Sequence, residues 1–471
     1  MKNIALHNLG CKVNSYEIDV MQQMLQEKGY NIVPFDTVAD IYIVNTCTVT
    51  NMADRKSRQM LHRAKAMNPE AVVVAVGCYV QTGKENALQD ESIDLAIGNN
   101  RKKDLLPILE TFLAEREGRA TEQDKTLNNT TIIDVNGTCD YEEMTLKRTA
   151  EHTRAYIKIQ DGCNQFCSYC IIPYARGRVR SRKAEDIVRE IKGLVAAGYQ
   201  EVVLTGIHIS SYGIDLQDEA FEQGHSIESI REEGRHDYRG KSKLIDLVER
   251  IHDIEGLHRI RLGSLEPRIV TAENAVRLAA MKKVCPHFHL SLQSGCDETL
   301  KRMNRHYTAG EYYESVKNLR DVYDHPAITT DVIVGFPGET ESEFTKTVAF
   351  LEKVGFYEMH IFKFSKRQGT RAAEMKEQVP ETVKTTRSNQ LLALEKEQSK
   401  KFRSRYIGEE TEVLFEETKE INGELFWVGH TADYVKVAIK TDENMANCLK
   451  KVFVTEFLTD EILKCCSLDG N

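Results

Sequence analysis

Long hydrophobic runs are missing from this chain of 471 residues. Its apolar stretches, such as AVVVAV at 71–76, are far too short to cross a bilayer, which takes about 20 apolar residues. The opening segment, MKNIALHNLGCK, has one lysine and then a polar break instead of the apolar centre of a secretory signal. We therefore expect a cytoplasmic protein with no membrane partner.

A basic surplus is also missing, since the formal net charge is −9. This balance gives no general support for nucleic-acid binding, which depends on neutralising phosphates. Local basic patches remain, and each is a solvated surface unless something else marks it. They are RKSRQMLHRAK (55–65), YARGRVRSRK (174–183) and KKFRSR (400–405). Of these, the arginines at 176–182 are the better candidates for phosphate contact.

The chain contains 12 cysteines, and three of them lie in DGCNQFCSYC at positions 163, 167 and 170. In a reducing compartment they are better explained as metal ligands or buried thiols than as disulfides. Cys163, Cys167 and Cys170 suit three irons of a four-iron cluster, with the fourth iron left open. A zinc site would need a fourth ligand, such as His208 or Cys285. Zinc, and a redox or incidental role, therefore stay open at this point.

Alternating strand and helix patterns predict three regions. Residues 1–135 predict an open parallel α/β sheet with strands at 2–10, 40–46 and 71–77. A connecting region at 115–150 follows, with a further strand predicted at 131–135. Helices are predicted at 15–29 and 51–67.

The region 150–385 predicts a partial (β/α)6 barrel. Its strand-like runs are 154–160, 201–206, 259–264, 287–293, 328–336 and 358–364. A charged insertion at 216–241 interrupts it, and a long helix at 381–404 follows. Residues 400–466 predict a small β-barrel of the nucleic-acid-binding type, with Asn-Gly at 422–423 as a hairpin turn.

Three further cysteines are spaced by the fold instead of by a local motif. Cys11, Cys47 and Cys78 each follow a predicted strand, and the gaps of 36 (47 − 11) and 31 (78 − 47) residues are about one βαβ unit each. Ligands of open α/β sheets bind at the carboxyl ends of the strands, where these cysteines emerge. A chance placement of buried cysteines is the alternative. Three thiolates without a fourth again indicate an iron with an open coordination position.

These motifs carry a family resemblance. CNQFCSYC resembles the signature of radical S-adenosylmethionine enzymes, in which the cofactor's methionine end chelates the open iron. Three segments resemble the N-terminal domain of methylthiotransferases, namely NLGCKVNSYE, NTCTVTNMADRKSRQ and VGCYVQ. Enzymes of that family often end in a TRAM-type β-barrel. The resemblance covers almost the whole chain. LGCKVN, with Lys12, Val13 and Asn14, is most similar to the branch that modifies threonylcarbamoyladenosine in tRNA.

The resemblance implies an enzyme that methylthiolates C2 of N6-threonylcarbamoyladenosine at tRNA position 37. It implies two [4Fe–4S] clusters, held by the two sets of three cysteines, and S-adenosylmethionine as radical source and methyl donor. Flavodoxin or ferredoxin would supply single electrons, and a sulfur source is needed. The same chemistry on isopentenyladenosine or on a ribosomal protein is the alternative. A two-cluster electron carrier or a zinc-stabilised RNA-binding module belongs to a different class.

Other barrel residues are predicted to bind S-adenosylmethionine, and an ordinary structural role is the alternative for each. They are Tyr169, Gly206, His208, Glu266, Gln293, Arg305 and Gly335. The acid-rich stretch 407–461 departs from the basic RNA-binding domain that the resemblance leads us to expect.

Overall fold

The computed structural model describes residues 2–118, 131–138, 140–148, 153–216 and 242–468. Cys139 and, except for its first residue, the predicted insertion at 216–241 lie outside these ranges. Within them, every helix is too short or too polar to span a membrane.

The N-terminal region forms a parallel sheet of five strands in the order β2-β1-β3-β4-β5. The strands are β1 Asn3–Asn8, β2 Asn31–Val33, β3 Ile41–Thr46, β4 Val72–Gly77 and β5 Leu95–Ile97. Every residue of β3 and β4 is buried, as expected for parallel strands covered on both faces. The three long strands confirm the prediction. The strand predicted at 131–135 is wrong, because these residues form turns and bends, and the short strands β2 and β5 were not predicted.

Helices cover both faces of this sheet. They are α1 Lys12–Glu27, α2 Asn51–Met67, α3 Cys78–Thr82, α4 Lys84–Gln89 and α5 Leu105–Arg116. The α2 helix begins where predicted because the Thr50 side chain accepts a hydrogen bond from the Ala53 N–H at 3.1 Å. The α1 helix begins three residues earlier than predicted, directly after Cys11.

Six parallel strands form the central partial barrel, in sequence order. They are β6 Ala155–Asp161, β8 Glu201–Gly206, β9 Arg259–Leu262, β10 His287–His289, β11 Ala327–Val334 and β12 Glu358–Lys363. Isolated bridges between Ile260 and Val284 and between Leu265 and Leu290 join the two halves of the arc. All six predicted strands are confirmed. A short strand, β7 Arg180–Ser181, pairs antiparallel with β6.

The barrel helices lie between these strands. They are α6 Ile172–Arg176, α7 Ala184–Ala196, α8 Lys243–His252, α9 Ala272–Ala280, α10 Asp297–Arg302, α11 Ala309–Val322, α12 Glu341–Val354 and α13 Arg371–Glu374. Reciprocal capping boxes start α11 at Thr308 and α12 at Thr340.

The long helix α14, Glu381–Ser404, leads into a closed C-terminal barrel in the order β13-β14-β15-β17-β16. Its strands are β13 Glu410–Ile421, β14 Glu424–Thr431, β15 Lys436–Ile439, β16 Cys448–Phe457 and β17 Ile462–Ser467. Asn422 and Gly423 turn β13 into β14, both at positive φ (53° and 82°), as a type I′ hairpin turn requires. The helix and the hairpin confirm the prediction, whereas β17 was not predicted.

The core is continuous across the first two regions. Side chains of α1, such as Tyr16, Ile18 and Val20, belong to the same buried cluster as Ile157 of β6 and Leu204 of β8. The α1 helix therefore packs against the barrel and holds the N-terminal sheet beside it. The carboxyl end of the first sheet meets α6, since the Asn99 side chain donates to the Ala175 carbonyl at 2.7 Å.

Candidate active site at two cysteine triads

The first triad, Cys163, Cys167 and Cys170, lies in the loop that follows β6. All three thiols are partly exposed. The loop folds back on itself, since the Cys170 N–H donates to the Cys167 carbonyl at 2.9 Å. This is the carboxyl end of the first barrel strand, the face on which such barrels carry their active sites.

The segment after α10 anchors this loop. The Ser168 N–H donates to the Met303 carbonyl at 3.0 Å, and the Asn304 side chain donates to the Phe166 carbonyl at 3.0 Å. Phe166 has a positive φ of 47°, which is strained for a residue with a side chain. These contacts fix the turn in which the three cysteines lie.

The second triad, Cys11, Cys47 and Cys78, is assembled by the N-terminal sheet. Cys11 and Cys47 follow β1 and β3, and Cys78 follows β4 directly as the first residue of α3. A charge on any one of the three thiols acts on the others. The predicted convergence of these cysteines is therefore present in the structure.

Two glycines allow the segments that carry the second triad to approach each other closely. Gly10 precedes Cys11 with φ +113°, and a Cβ on it would lie 3.0 Å from the Cβ of Cys47. Gly77 precedes Cys78 with φ +99°, and a Cβ there would lie 2.8 Å from Oδ1 of Asn45. A side chain at either position would have to displace its neighbour.

The thiols suit iron–sulfur clusters better than a zinc ion. Among the residues that the structure describes, no three His, Cys, Asp or Glu side chains are close enough to hold one metal ion. In a four-iron cluster each thiolate binds a different iron, so its sulfurs lie farther apart than the ligands of one ion. Burial raises the pKa of Cys47 to about 11 and of Cys163 to about 12, so iron binding would have to release their protons.

Arg176 lies beside the second triad. It follows the first triad at the end of α6 and is 1% exposed. Its Nη2 donates to Oδ1 of Asn14 at 2.7 Å, and the Cys11 thiol donates to the same oxygen at 3.8 Å. Cys78 is close enough to contribute to raising the pKa of Arg176 despite burial. A buried cation therefore lies beside the second triad, where it would stabilise the thiolates that hold a cluster.

A buried charge network surrounds Arg176. Glu17 of α1 accepts from Arg176 and Lys158 at 2.8 Å each and is also bonded to Lys102, while Lys158 lies 2.6 Å from Asp161. These five side chains are almost inaccessible to solvent. Arg176 and the two lysines hold the pKa of Glu17 well below its usual range despite burial. The network ties α1 to β6 and to the first cysteine loop.

The prediction that the arginines at 176–182 contact phosphate is wrong for three of them. Arg176, Arg180 and Arg182 are each 1% exposed, because carboxylates and carbonyls inside the fold hold their guanidinium groups. Arg182, for example, is bonded to Glu190. The basic patch on α2 is different, since Arg55, Lys56, Arg58 and Arg63 are exposed.

Two of the predicted cofactor-binding residues have suitable surroundings. Arg305 lies beside the first triad, and Glu266 has an unpaired buried oxygen. Nη1 of Arg305 donates to Sγ of Cys167 at 3.2 Å, and its Nε donates to the Tyr307 hydroxyl at 3.0 Å. Glu266 is 3% exposed, and its Oε1 accepts from Arg268 at 2.7 Å. Its buried Oε2 has no partner among the described residues. Burial raises the pKa of Glu266, partly offset by Arg268. A polar ligand fits this unpaired oxygen.

Tyr169 is part of the cysteine loop, whereas Gln293 follows β10 and pairs with β11. Tyr169 lies between two of the cysteines and packs on a small core with Phe336 and Phe364, which agrees with the structural alternative. Gln293 is 8% exposed at a positive φ of 71°. Such a conformation costs about 1–3 kcal/mol and concentrates at functional sites.

The other three predicted residues, Gly206, His208 and Gly335, make contacts that support the fold. The His208 N–H donates to the Gln160 side chain at 2.8 Å, and a Cβ on Gly206 would meet that residue at 3.0 Å. A Cβ on Gly335 would lie 2.3 Å from Cγ of Lys384. Gly335 therefore allows the close approach of α14, whereas we expected it to allow the close approach of the cofactor.

Lys12 occupies the first position of α1, beside the second triad. Both Cys11 and Lys12 are exposed, although burial raises the pKa of Cys11 and lowers the pKa of Lys12 to about 8. Arg261 and Arg154 of the barrel add to the lowering at Lys12.

Sequence reasoning missed the partners of the triads. Asn99 donates to Sγ of Cys78 at 3.5 Å and to the Ala175 carbonyl at 2.7 Å. Ser57 brackets Cys47, accepting from its N–H and donating to its carbonyl. Lys158 had a readable signal, since a lysine inside the apolar strand AYIKIQ requires a buried partner. No local pattern marks Asn99 or Ser57.

Comparisons with known proteins place the chain. The radical SAM superfamily model matches residues 157–351, and the model described as uncharacterized protein family UPF0004 matches residues 3–98. The threonylcarbamoyladenosine tRNA methylthiotransferase MtaB of Bacillus subtilis (strain 168) is 38% identical over 96% of this chain and 93% of its own. The enzyme of that name from Aquifex aeolicus is 37% identical over 87% and 92%.

A relative with another named product is also similar. The tRNA-2-methylthio-N(6)-dimethylallyladenosine synthase of Carboxydothermus hydrogenoformans is 34% identical over 95% of both chains. Among solved structures, the radical S-adenosylmethionine methyltransferase TsrM of Kitasatospora setae has a TM-score of 0.53 at 16% identity, covering 77% of this chain and 72% of that one. That likeness concerns the fold. By the identity and coverage of its relatives, the chain belongs to the methylthiotransferase family of radical S-adenosylmethionine enzymes.

Proposed function

We propose that this tRNA methylthiotransferase acts on N6-threonylcarbamoyladenosine at position 37, next to the anticodon, and converts it to the 2-methylthio derivative. The observation that carries the proposal is the presence of two cysteine triads, each at the carboxyl ends of parallel strands. Family membership implies one [4Fe–4S] cluster and S-adenosylmethionine. A second cluster at Cys11, Cys47 and Cys78 is part of the proposal.

The chemistry requires two sites. The C2–H bond of adenine is not activated for removal by an acid/base pair, so a radical must break it, and only a cofactor supplies one. When bound, the two clusters and S-adenosylmethionine supply that radical and the methylthio group. Flavodoxin or ferredoxin as electron donor, and a separate sulfur source, complete the proposed requirements.

The residues of this chain hold and orient these groups. Cys163, Cys167 and Cys170 hold the radical cluster, and Arg305 donates a hydrogen bond to one of its thiolates. Glu266 offers an unpaired buried oxygen to S-adenosylmethionine. Gln293 and Tyr169 complete the proposed pocket. Arg176 places a fixed positive charge beside the second triad.

The three parts of the chain divide the work in this proposal. Residues 1–135 carry the second cluster, 150–385 the radical barrel, and 400–466 a TRAM-like barrel that contributes to tRNA binding. The exposed face of α2, with Arg55, Lys56, Arg58 and Arg63, supports phosphate contact close to Cys47, which α2 follows in the chain.

The substrate assignment is supported by the relatives named for threonylcarbamoyladenosine, which at 38% and 37% identity are closer than the 34% identical dimethylallyladenosine synthase. The decisive test is nucleoside mass spectrometry of tRNA from a deletion strain and from the strain carrying the gene again. We expect 2-methylthio-threonylcarbamoyladenosine to disappear and return. Its persistence in a cell with no second such enzyme would refute the substrate assignment.

Anaerobic reconstitution tests the cofactors. We expect about eight irons per chain, four for each cluster, together with cleavage of S-adenosylmethionine by the reduced protein. Zinc without iron would favour the RNA-binding module instead, and two clusters without cleavage would favour an electron carrier.

A further inference from the structure

Asn99 lies in the loop after β5, at the carboxyl end of the N-terminal sheet, and is 1% exposed. Its backbone N–H donates to Oε1 of Gln81 at 2.9 Å. A Cβ on Gly98 would lie 2.4 Å from that oxygen, so only glycine leaves room for this contact. The backbone of Asn99 is therefore fixed beside α3, the helix that begins at Cys78.

The side-chain amide of Asn99 is held from three directions. Its Nδ2 donates to the Ala175 carbonyl of α6 at 2.7 Å and to Sγ of Cys78 at 3.5 Å. Its Oδ1 accepts from Nζ of Lys102 at 2.8 Å. Because an ammonium only donates and a carbonyl only accepts, these two partners fix which end of the amide carries the N–H groups. The remaining N–H therefore faces the sulfur of Cys78.

Lys102 strengthens this donor. Its side chain is inaccessible to solvent and is also bonded to Glu17 of α1. A cation on the amide oxygen draws electrons from the nitrogen, since hydrogen bonds in a chain polarise one another. The bond to Cys78 becomes charge-assisted, and so stronger, when Cys78 is a thiolate. A metal-bound thiolate therefore gains more from Asn99 than a free thiol does.

Cys11, a second thiol of the same triad, has the opposite surroundings. It faces Oδ1 of Asn14, an acceptor that Arg176 holds at 2.7 Å. Nδ2 of Asn14 donates to two backbone carbonyls, at 2.7 and 3.1 Å, so this amide has no N–H to turn toward the sulfur. Of these two thiols, Cys78 is the one that receives a side-chain amide donor from a described residue.

We propose that Asn99 is a positioning residue that raises the reduction potential of the cluster held at the second triad. A reduced cluster carries one more negative charge than an oxidised one, so a donor on its thiolate stabilises the reduced state more. The same amide holds Cys78 against α6 of the barrel. This inference rests on the proposed function, which supplies both the cluster and the electron donor.

The consequence concerns the path of the electron. With two clusters in one chain, an electron delivered by flavodoxin or ferredoxin settles on the cluster with the higher potential. Asn99 shifts that choice toward the second triad.

The test isolates the second cluster in a full-length parent protein that lacks the ligands of the first. The parent substitutions are Cys163→Ser, Cys167→Ser and Cys170→Ser. Asn99→Leu is then added, because leucine has a similar size and no donor. After anaerobic reconstitution, iron is counted, and titration with dithionite followed by electron paramagnetic resonance gives the reduction potential.

Asn68→Leu in the same parent is the matched control. The Asn68 amide also joins two backbone groups, donating to the Ala39 carbonyl at 2.9 Å and accepting from the Glu70 N–H at 3.1 Å, but it lies at the end of α2. It removes an equivalent bridge without touching a cysteine.

We expect Asn99→Leu to retain about four irons. Its one-electron reduction equilibrium should shift about tenfold toward the oxidised cluster, which is a fall of about 59 mV in potential. Losing one hydrogen bond to a charged group accounts for a change of this size. Asn68→Leu should keep the potential of the parent. An unchanged or higher potential in Asn99→Leu would overturn the inference.

A second measurement needs no substitution at Asn99. Parent protein labelled with nitrogen-15 in its asparagine side chains should show a coupling between that nitrogen and the reduced cluster in pulsed electron paramagnetic resonance, since the N–H···S bond carries spin density to the donor. If Asn99→Leu loses its iron, this coupling decides: its presence supports the inference and its absence overturns it.

Failure of the proposed function looks different. If the parent protein with Asn99 intact binds no iron, the second cluster does not exist and the proposed function fails together with the inference. If the parent binds four irons but its potential does not depend on Asn99, the proposed function stands and only the inference is overturned.

Discussion

Arg176 and Glu17 form a buried ion pair, with 2.8 Å between Nη1 and Oε1. Arg176 closely follows the first cysteine triad, and Glu17 lies in the helix that begins after Cys11. The pair therefore links the segment that follows the first triad to the helix that follows Cys11 of the second triad. The buried carboxylate of Glu17 explains why Arg176, in the arginine-rich stretch 176–182, points into the protein.

Replacing Glu17 should destabilise the protein strongly. Glu17→Gln leaves Arg176, Lys102 and Lys158 with less buried negative charge, and breaking such a network costs about 3–5 kcal/mol. Denaturant unfolding measures the loss. The control Glu27→Gln removes an exposed pair with Lys147 and should cost less than about 1 kcal/mol. Equal losses in both variants would contradict the role of the buried network.

Each triad should hold its own cluster. Cys47→Ser and Cys163→Ser should each lower the iron content of the reconstituted protein by about four atoms, because each removes a ligand of one four-iron cluster. Iron analysis and electron paramagnetic resonance of the reduced protein measure this. Cys466→Ser, an exposed thiol of the last strand, should retain all the iron. A single variant that loses both clusters would argue against separate sites.

Glu266 should contribute to binding S-adenosylmethionine. Glu266→Ala removes the buried Oε2, which has no partner among the described residues, and should weaken binding about tenfold. Equilibrium dialysis with the reconstituted protein gives the dissociation constant. Glu273→Ala changes an exposed side chain of α9 and should leave it unchanged. An unaltered constant for Glu266→Ala would place the cofactor elsewhere.

Tyr434 should hold the C-terminal barrel against the central one. Its ring lies under the guanidinium groups of Arg154 (4.9 Å) and Arg261 (4.6 Å) and stacks on His430. Tyr434→Ala should cost about 2 kcal/mol and speed proteolytic cleavage after α14. Tyr174→Ala, at an exposed ring, should leave the cleavage rate unchanged. A cleavage rate unaffected by Tyr434→Ala would show that other contacts dock the barrel.

Asp433 should make stability depend on pH. Burial raises the pKa of its carboxyl to about 6, although the Tyr406 hydroxyl donates to it. Between pH 4 and 6 the folded state then binds more protons than the unfolded state, so stability falls as pH rises through this window. From pH 5 to 7 the wild-type protein should lose about 1 kcal/mol relative to Asp433→Asn. Parallel unfolding curves for the two proteins would show that Asp433 is not the group responsible.

Much of the architecture was predictable because its signals are local. The strands at 40–46 and 71–77 are short apolar runs that only a covered sheet accommodates, and both are present as β3 and β4. The helix at 381–404 and the hairpin at 422–423 follow from helical pattern and turn chemistry. The edge strands β2 and β5 were missed because three residues carry too little periodicity to recognise.

The charge pattern of the sequence was the least reliable basis for predicting functional residues. A row of arginines at 176–182 has the composition of a phosphate-binding loop, yet three of them are buried. Their partners, such as Glu17 and Glu190, come from distant parts of the chain, so sequence alone does not reveal whether a charge is paired. The exposed cations of α2 looked no more functional than any helix face.

The sequence by itself determined the fold class, because strand and helix periodicity are properties of neighbouring residues, and it showed two sets of three cysteines. Only the tertiary structure decided that α1 packs against the barrel and that Arg176 lies beside the second triad. These relationships arise from burying α1 and β6 in one core, which joins residues that more than 100 positions of chain separate.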